Sequence, residues 1–155
     1  MHLAVDWQQS LEDVIKILFA YLVVMPVGWY REREAHSVGV RTFPVVAMAS
    51  CGYVLLGAQS AHMSAEAQSR IIQGLVAGIG FIGGGAILKS DSRVHGVATA
   101  ASIWNTGVIG SAVALDRYLL AAVLAGLNLF ALRVLLQVKQ RLDQDPPEHP
   151  PSLHP

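Results

Sequence analysis

Cysteine and charge are both scarce in this 155-residue chain, and each scarcity excludes a class of protein. Cys51 is the one cysteine, so the chain has no internal disulfide and no cysteine-based metal site. Only 14% of the residues are charged, whereas a typical soluble domain carries ~25%. Together with 53% hydrophobic residues and a mean hydropathy of +0.45, this composition indicates a membrane protein built as one compact unit.

The chain also lacks the usual signs of nucleic-acid binding and catalysis. Its formal net charge is zero, so no basic surface for nucleic acid is expected. The string Gly78-x-Gly80-x-x-Gly83 matches a dinucleotide-binding pattern, but it lies inside an apolar run with no preceding strand. His95 and Ser102 are about 10 Å apart along a helix, too far to form a nucleophile and its base. We therefore expect neither enzymatic activity nor a cofactor.

Carboxylates are absent from the middle of every apolar run. Magnesium and calcium bind oxygen ligands that usually include carboxylates, and proton relays place ionisable groups inside the membrane. The sequence therefore predicts no metal site and no transport path lined by charged side chains.

Five apolar runs are present, each close to the ~20 residues that a helix needs to cross a bilayer. Pro26, inside the first run, is compatible with a membrane helix because neighbouring helices compensate for the lost hydrogen bond. The pattern predicts an all-α fold with five transmembrane helices, at residues 14–30, 43–61, 71–88, 96–115 and 118–137.

Three regions are expected from these runs. Residues 1–13 are polar and lack the basic opening of a signal peptide, so we expect an extracytoplasmic N-terminus and a first run that stays in the mature protein. Residues 14–141 form the membrane domain. Residues 142–155 are rich in proline and predict a disordered cytoplasmic tail.

The basic residues predict the orientation in the membrane. Eight of the eleven Lys and Arg residues fall in the loops after runs one and three and at the close of run five, namely Arg31, Arg33, Arg41, Lys89, Arg93, Arg133, Lys139 and Arg141. Because cytoplasmic loops carry the excess of positive charge, the N-terminus is predicted outside and the C-terminus inside.

Small residues are concentrated between Gly78 and Gly110, in two apolar stretches joined by a charged break at 89–95. We interpret this as a close-packed helical hairpin with a tight charged turn, since small residues four apart let membrane helices approach closely. An alternative is that Gly83-Gly84-Gly85 breaks the helix and directs backbone carbonyls at an ion. The glycines predicted to pack helices are Gly74, Gly78, Gly80, Gly83, Gly84 and Gly107.

Run four also carries polar side chains, at Thr99, Ser102, Asn105 and Thr106. Hydroxyl groups can donate to carbonyls of their own helix, so we interpret them as polar contacts within the membrane domain. An amide cannot satisfy itself in this way. Asn105 therefore needs a partner on another helix or a ligand, and Asn128 is the predicted partner.

Charged and polar residues of the loops predict a surface for a partner on the cytoplasmic side. It combines the charged turn of the hairpin with the connection between the first two runs. Its residues are Glu32, Arg41, Thr42, Lys89 and Arg93.

These motifs resemble a known family. Residues 78–87, Gly-Ile-Gly-Phe-Ile-Gly-Gly-Gly-Ala-Ile, followed by Val-His-Gly-Val-Ala-Thr-Ala-Ala-Ser-Ile-Trp at 94–104, are similar to the paired hairpin motifs of the MgtC/SapB family of bacterial inner-membrane proteins. Residues 39–42, Gly-Val-Arg-Thr, resemble that family's Ala-Gly-Leu-Arg-Thr, and residues 69–71 resemble the end of its Asp-x-Ser-Arg-Ile. The resemblance covers roughly residues 14 to 137.

Three positions depart from the family pattern. Tyr30 stands where the family often has an acidic residue, Ala67 stands at its Asp position, and Gly74 stands at its usual Gln. The resemblance is to the short SapB-like form, so we do not expect the soluble C-terminal domain of longer members.

The resemblance implies a bacterial inner-membrane location, five spans and an external N-terminus. It also implies a virulence-associated, non-enzymatic role under magnesium limitation or host stress, in which the protein modulates other membrane systems. We accordingly expect a modulator that lies in the lipid bilayer, self-associates through its glycine faces and contacts an unidentified membrane protein. The alternatives are a small ion transporter or channel that uses backbone carbonyls, and a scaffold subunit.

Overall fold

A computed structural model describes the chain at residues 6–35, 39–58, 64–90 and 93–142. These ranges contain five helices, as predicted, together with two short strands that were not predicted. The elements are α1 (Trp7–Ala35), α2 (Thr42–Ala58), α3 (Ala65–Gly85), β1 (Leu88–Ser90), β2 (Arg93–His95), α4 (Val97–Ala114) and α5 (Tyr118–Leu142). The predicted tail from residue 143 onward lies outside the described residues.

α4 is the central helix of the bundle, because it packs against each of the other four helices. α1 and α2 cover one side of it, whereas α3 and α5 pack beside it. The core contains apolar residues from α1, α2, α4 and α5 that are almost fully buried, including Val24, Phe43, Ala47, Cys51, Ile103, Ile109, Val113 and Ala121.

α3 is the least buried of the helices. Of its 21 residues, only Ile79 and Gly83 are buried. Phe81 is 85% exposed, so one side of α3 has no neighbour within the described part of the chain. Ser64 caps the start of the helix by accepting a hydrogen bond from the Ala67 backbone N–H at 3.2 Å.

The charged break between α3 and α4 is a β-hairpin instead of the simple tight turn that was predicted. Its strands are antiparallel, and Lys89 pairs with Val94 at the centre. The extended backbone pairs with itself, since its N–H and C=O groups would otherwise lack partners between two helix ends. Gly96 then starts α4 with φ +87°, where a Cβ atom would collide with the Ala86 carbonyl oxygen.

α1 is longer than predicted, since it begins at Trp7 instead of residue 14 and continues through Pro26. Near its start, the Lys16 Nζ atom lies 2.7 Å from Asp116 Oδ1 in the turn between α4 and α5. Tyr118 donates a hydrogen bond to the same carboxylate at 2.9 Å. The hydrogen bond from Lys16 lowers the pKa of Asp116 below its ordinary value, and the hydrogen bond from Tyr118 adds to this effect. The first part of α1 and the α4–α5 turn therefore lie at the same end of the bundle.

The helices differ in how well they fit a membrane by length and hydropathy alone. Among the described helices, α4 is the one that is both long and apolar enough to cross a bilayer. The apolar segments Thr42–Ala58 and Tyr118–Val134 are slightly shorter.

Candidate functional site

Six polar side chains are buried inside the described bundle, and most of them lie on or against α4. They are Arg31, Ser50, Thr99, Ser102, Thr106 and Asn128. Burying such groups is costly unless each forms hydrogen bonds, so their partners define the polar interior of the protein.

Arg31 and Thr99 join the end of α1 to the beginning of α4. The Arg31 guanidinium donates to Thr99 Oγ1 from Nε at 2.9 Å and from Nη2 at 2.5 Å. Arg31 is 8% exposed and Thr99 is 3% exposed. Arg31 was predicted to lie in a charged loop because Glu32 and Arg33 follow it. These two neighbours are exposed, whereas Arg31 is not. The sequence offered no signal that the first residue of this charged run turns inward.

Ser102 and Asn128 form the second polar link, between α4 and α5. The Ser102 hydroxyl donates to Asn128 Oδ1 at 2.6 Å, and both side chains are buried. The Nδ2 atom of Asn128 is buried and has no hydrogen-bond partner among the described residues.

The predicted pair of Asn105 and Asn128 is wrong. Asn128 bonds to Ser102, whereas Asn105 Nδ2 points to the Leu124 backbone carbonyl at 3.4 Å. The partner of Asn105 does lie on α5, as predicted, but it is the Leu124 backbone carbonyl and not the Asn128 side chain. The reason is angular, since three residues along α4 separate the directions of Ser102 and Asn105 by about 60°.

The remaining hydroxyl groups bond to carbonyls four residues earlier in their own helices. Thr106 donates to the Ser102 carbonyl at 2.8 Å, and Ser111 donates to the Gly107 carbonyl at 2.9 Å. Ser50 on α2 does the same with Val46 at 2.7 Å. These groups are satisfied locally and leave Arg31–Thr99 and Ser102–Asn128 as the side-chain links between helices in the polar interior.

Two of the glycines expected to pack helices lie in close contacts. A Cβ atom at Gly83 would lie 3.2 Å from the Ala100 carbonyl oxygen of α4. At Gly107 a Cβ atom would collide with the Ile79 side chain of α3. Together these contacts fix α3 to α4.

The other four glycines expected to pack helices have open space beside them in the described chain. A Cβ atom at Gly74, Gly78, Gly80 or Gly84 would meet nothing within 4 Å. Close packing at these four positions would therefore need a helix that the described chain does not place there.

Sequence analysis missed the glycine with the tightest contact between α2 and α4. A Cβ atom at Gly110 would collide with the Ala47 carbonyl oxygen and would also approach Ser50 Cβ at 3.0 Å. The spacing of Thr106 and Gly110, four residues apart, is the signal that could have identified it.

An apolar groove of about 510 Å³ runs between α2 and α3. Its lining includes Val45, Ala49 and Tyr53 on α2, and Gly74 and Gly78 on α3. The two open glycines therefore face this groove, which we call the α2–α3 groove. It is wide because glycine adds no side chain to its α3 wall.

The alternative that Gly83-Gly84-Gly85 interrupts the helix is wrong. α3 continues through Gly85 before it ends. The carbonyl oxygens of Gly83 and Gly84 accept hydrogen bonds from the Ala86 and Ile87 N–H groups at 3.0 and 3.1 Å. These carbonyls therefore serve to end the helix, as in many helix C-termini.

The five residues expected to form one cytoplasmic surface lie in two parts of the structure, the α1–α2 connection and the β-hairpin. Glu32 accepts a hydrogen bond from the Val40 backbone N–H at 2.7 Å and so closes the connection between α1 and α2. Arg41 and Lys89 are exposed, and Thr42 is the first residue of α2. Arg93 lies on β2, paired with Ser90. Within the described ranges, no hydrogen bond or ion pair links the α1–α2 connection to the hairpin.

A metal centre is not evident in the part of the chain that the structure describes. It contains no group of three or more His, Cys, Asp or Glu side chains arranged to hold a metal ion.

The outside of the bundle is strongly apolar. Large hydrophobic residues are exposed on every helix, among them Leu22, Leu56, Phe81, Trp104 and Leu119. Contiguous exposed apolar surface of this kind marks contact with a membrane or a protein. An apolar exterior, close glycine contacts and an internally bonded polar interior define the class as a helical-bundle protein with a membrane-type surface.

The chain belongs to the MgtC family, whose family model matches residues 17–141. It is 37% identical to Protein SrpB of Synechococcus elongatus over 120 residues, covering 70% of this chain and 64% of SrpB. It is 29% identical to the putative magnesium transporter YhiD of Escherichia coli K12 over 140 residues, covering 86% of this chain and 65% of YhiD. It is 30% identical to Protein MgtC of Salmonella typhimurium over 133 residues, covering 86% of this chain and 56% of that protein.

The chain thus spans less than two thirds of the length of each of these three relatives. No solved structure matches it. Membership of the MgtC family and the apolar α4 helix support a location in the membrane.

Proposed function

We propose that this chain is a non-enzymatic inner-membrane protein that modulates other membrane proteins during adaptation to magnesium limitation or host stress. The similarity to proteins named MgtC and putative magnesium transporter YhiD supports the link to magnesium. The five helices are proposed to cross the bilayer with the N-terminus outside.

The distribution of charge supports this orientation. Lys16 and Asp116 pair at one end of the bundle, whereas Arg31 lies toward the opposite end of α1. Eight of the eleven Lys and Arg residues belong to that opposite end. The excess of positive charge supports a cytoplasmic location for this end.

The observation that carries the proposed mode of action is the open side of α3. Gly74 and Gly78 border the α2–α3 groove, and a Cβ atom at either position would meet nothing. Helices associate in lipid through close backbone approach at small residues. A helix of another membrane protein would fit against this side of α3, and binding there would change that protein's activity.

The interior offers little support for ion conduction. The described buried polar side chains are one arginine, four hydroxyl-bearing residues and one asparagine, and none is a carboxylate. Three of the hydroxyl groups donate to carbonyls or an amide nearby, so they are already committed to holding the bundle together.

A growth assay in low magnesium tests the proposal, using Gly78→Leu to fill the groove. Gly126→Leu is the matched control, because Gly126 is also a helical glycine with open space around it but lies on α5. We expect Gly78→Leu to abolish the growth difference between cells with and without the protein, whereas Gly126→Leu preserves it. Equal growth of the two variants, with both proteins present at wild-type levels, would contradict a role for the groove.

A second candidate function is a small ion transporter or channel, which the similarity to the putative magnesium transporter YhiD favours. Purified protein in liposomes distinguishes the two candidates. Selective magnesium or proton flux above that of protein-free liposomes would replace the modulator proposal, whereas the absence of flux at high protein density agrees with it.

A further inference from the structure

Asn105 is a polar side chain in the middle of α4 that the described bundle leaves incompletely bonded. It is the ninth of the 18 residues of α4 and therefore lies about 12 Å from either end of the helix. The side chain is partly exposed, and its one hydrogen bond, from Nδ2 to the Leu124 carbonyl, is long at 3.4 Å. No described residue donates to its Oδ1 atom.

The surroundings of Asn105 are apolar. It lies at the α5 edge of an outward-facing stripe of α4 that also carries Ala101, Trp104 and Val108, all of which are exposed. We call this the α4 stripe. It is separate from the α2–α3 groove, because α2 packs on the opposite, buried side of α4 at Gly110.

An unsatisfied amide oxygen at this depth is unfavourable. Lipid tails offer no hydrogen-bond donor, and water is scarce at the centre of a bilayer. Buried polar groups without partners cost several kcal/mol in such surroundings, and asparagine side chains bond across helices in membranes for this reason. The missing partner must therefore bring an N–H or O–H group to the middle of the membrane.

A second copy of this chain meets that requirement. All copies cross the membrane in the same direction, so a two-fold axis normal to the bilayer brings identical residues together at equal depth. A carboxamide both donates and accepts, so two copies of one asparagine form a reciprocal pair. We infer that two copies associate through the α4 stripe, with Asn105 Nδ2 of each copy donating to Asn105 Oδ1 of the other. This inference goes beyond the proposed function and uses a different surface.

Oxidative cross-linking of the full chain in lipid nanodiscs or liposomes locates the contact. In a Cys51→Ser background, Ala101→Cys places a thiol one turn before Asn105 on the α4 stripe. Phe81→Cys is the matched control, because Phe81 is 85% exposed on α3. We expect a covalent dimer from Ala101→Cys and none from Phe81→Cys. Cross-linking of Phe81→Cys with no dimer from Ala101→Cys would overturn the inference.

Energy transfer between labelled copies in liposomes measures the strength of association. We expect Asn105→Leu to weaken dimerisation at least about tenfold, equivalent to ~1.4 kcal/mol, and Asn105→Gln to retain most of it. Wild-type dimerisation by Asn105→Leu would overturn the inference, as would a wild-type protein that stays monomeric at every protein-to-lipid ratio. Thermal unfolding of each variant confirms that the monomer is intact.

The two proposals fail separately. Wild-type growth of Gly78→Leu, with the Ala101→Cys cross-link intact, would contradict the groove and leave the α4 stripe standing. Loss of the growth effect in Gly78→Leu, with no dimer from Ala101→Cys, would support the groove and overturn the inference. An Asn105 that binds a different membrane protein would give cross-linked heterodimers in cells and monomers after purification, which would also overturn the inference.

Discussion

Arg31 is the one charged side chain among the buried residues that the structure describes. Its two hydrogen bonds to Thr99 come from different nitrogen atoms of the guanidinium, so they fix the direction of the side chain as well as its distance. This contact ties the last part of α1 to the first turn of α4. It therefore determines how far the two helices are shifted along each other.

Replacing Thr99 with valine tests the importance of this link. Thr99→Val keeps the shape of the side chain but removes the oxygen that accepts from Arg31. We expect a loss of about 2 kcal/mol of stability, because a buried charged donor loses the two hydrogen bonds that it makes to Thr99. Thermal unfolding in detergent, with and without the substitution, measures the effect.

Thr106→Val is the matched control for that experiment. Thr106 is fully buried on the same helix, but its hydroxyl donates to a carbonyl of its own helix. Its loss should cost less than about 1 kcal/mol. Thr99→Ser, which keeps the acceptor oxygen, should restore most of the stability. Equal destabilisation by Thr99→Val and Thr106→Val would contradict the assigned role of Arg31.

At the residue scale, the sequence identified the polar positions of α4 but not their partners. The four polar residues expected in run four all form hydrogen bonds. Arg31 was placed in a loop because its neighbours are charged, and Asn128 was assigned to Asn105 instead of Ser102. Which side chains meet depends on the rotation of each helix about its axis, and a single sequence determines that rotation poorly.

At the element scale, contact between α2 and α4 depends on the absence of side chains. Gly110 lets the backbone of α4 approach the Ala47 carbonyl of α2, and Gly107 accommodates the Ile79 side chain of α3. α4 can touch both neighbours at once because it presents hydrogen atoms where other residues have a Cβ. A small-residue helix is therefore suited to the centre of the bundle.

Adding one methyl group to α4 should separate these helices. We expect Gly110→Ala to destabilise the protein by about 2 kcal/mol, because the new Cβ would overlap a backbone carbonyl that cannot rotate away. Gly74→Ala is the control, since its Cβ enters open space and alanine also favours the helix. Thermal unfolding in detergent compares the two. A Gly110→Ala protein as stable as Gly74→Ala would show that α2 and α4 are further apart than described.

The number and order of helices could be predicted from the apolar runs, but their ends could not. α1 starts at Trp7, before the apolar run begins, because polar residues such as Gln8 and Gln9 are compatible with the first turns of a helix. The β-hairpin was missed because its three-residue strands are too short to produce an alternating pattern. The spacing of the α3 glycines predicted helix packing, but spacing alone does not say which molecule supplies the neighbouring helix.

At the scale of the whole molecule, two contacts define the ends of the bundle. Lys16 and Asp116 place the start of α1 beside the α4–α5 turn, and Arg31 and Thr99 place the other end of α1 beside the start of α4. The β-hairpin precedes α4 directly, so Lys89 lies at the Arg31 end. The proposed topology therefore puts Arg117 and Lys89 on opposite sides of the membrane.

Labelling of single cysteines tests this topology in intact cells. In a Cys51→Ser background, Arg117→Cys and Lys89→Cys each replace an exposed side chain in a connection between helices. A maleimide that cannot cross the inner membrane should label Arg117→Cys in cells with a permeable outer envelope, and Lys89→Cys only after lysis. The reverse pattern would mean that the N-terminus is cytoplasmic. Labelling of both before lysis would mean that α4 does not cross the bilayer, because this helix alone separates the two positions.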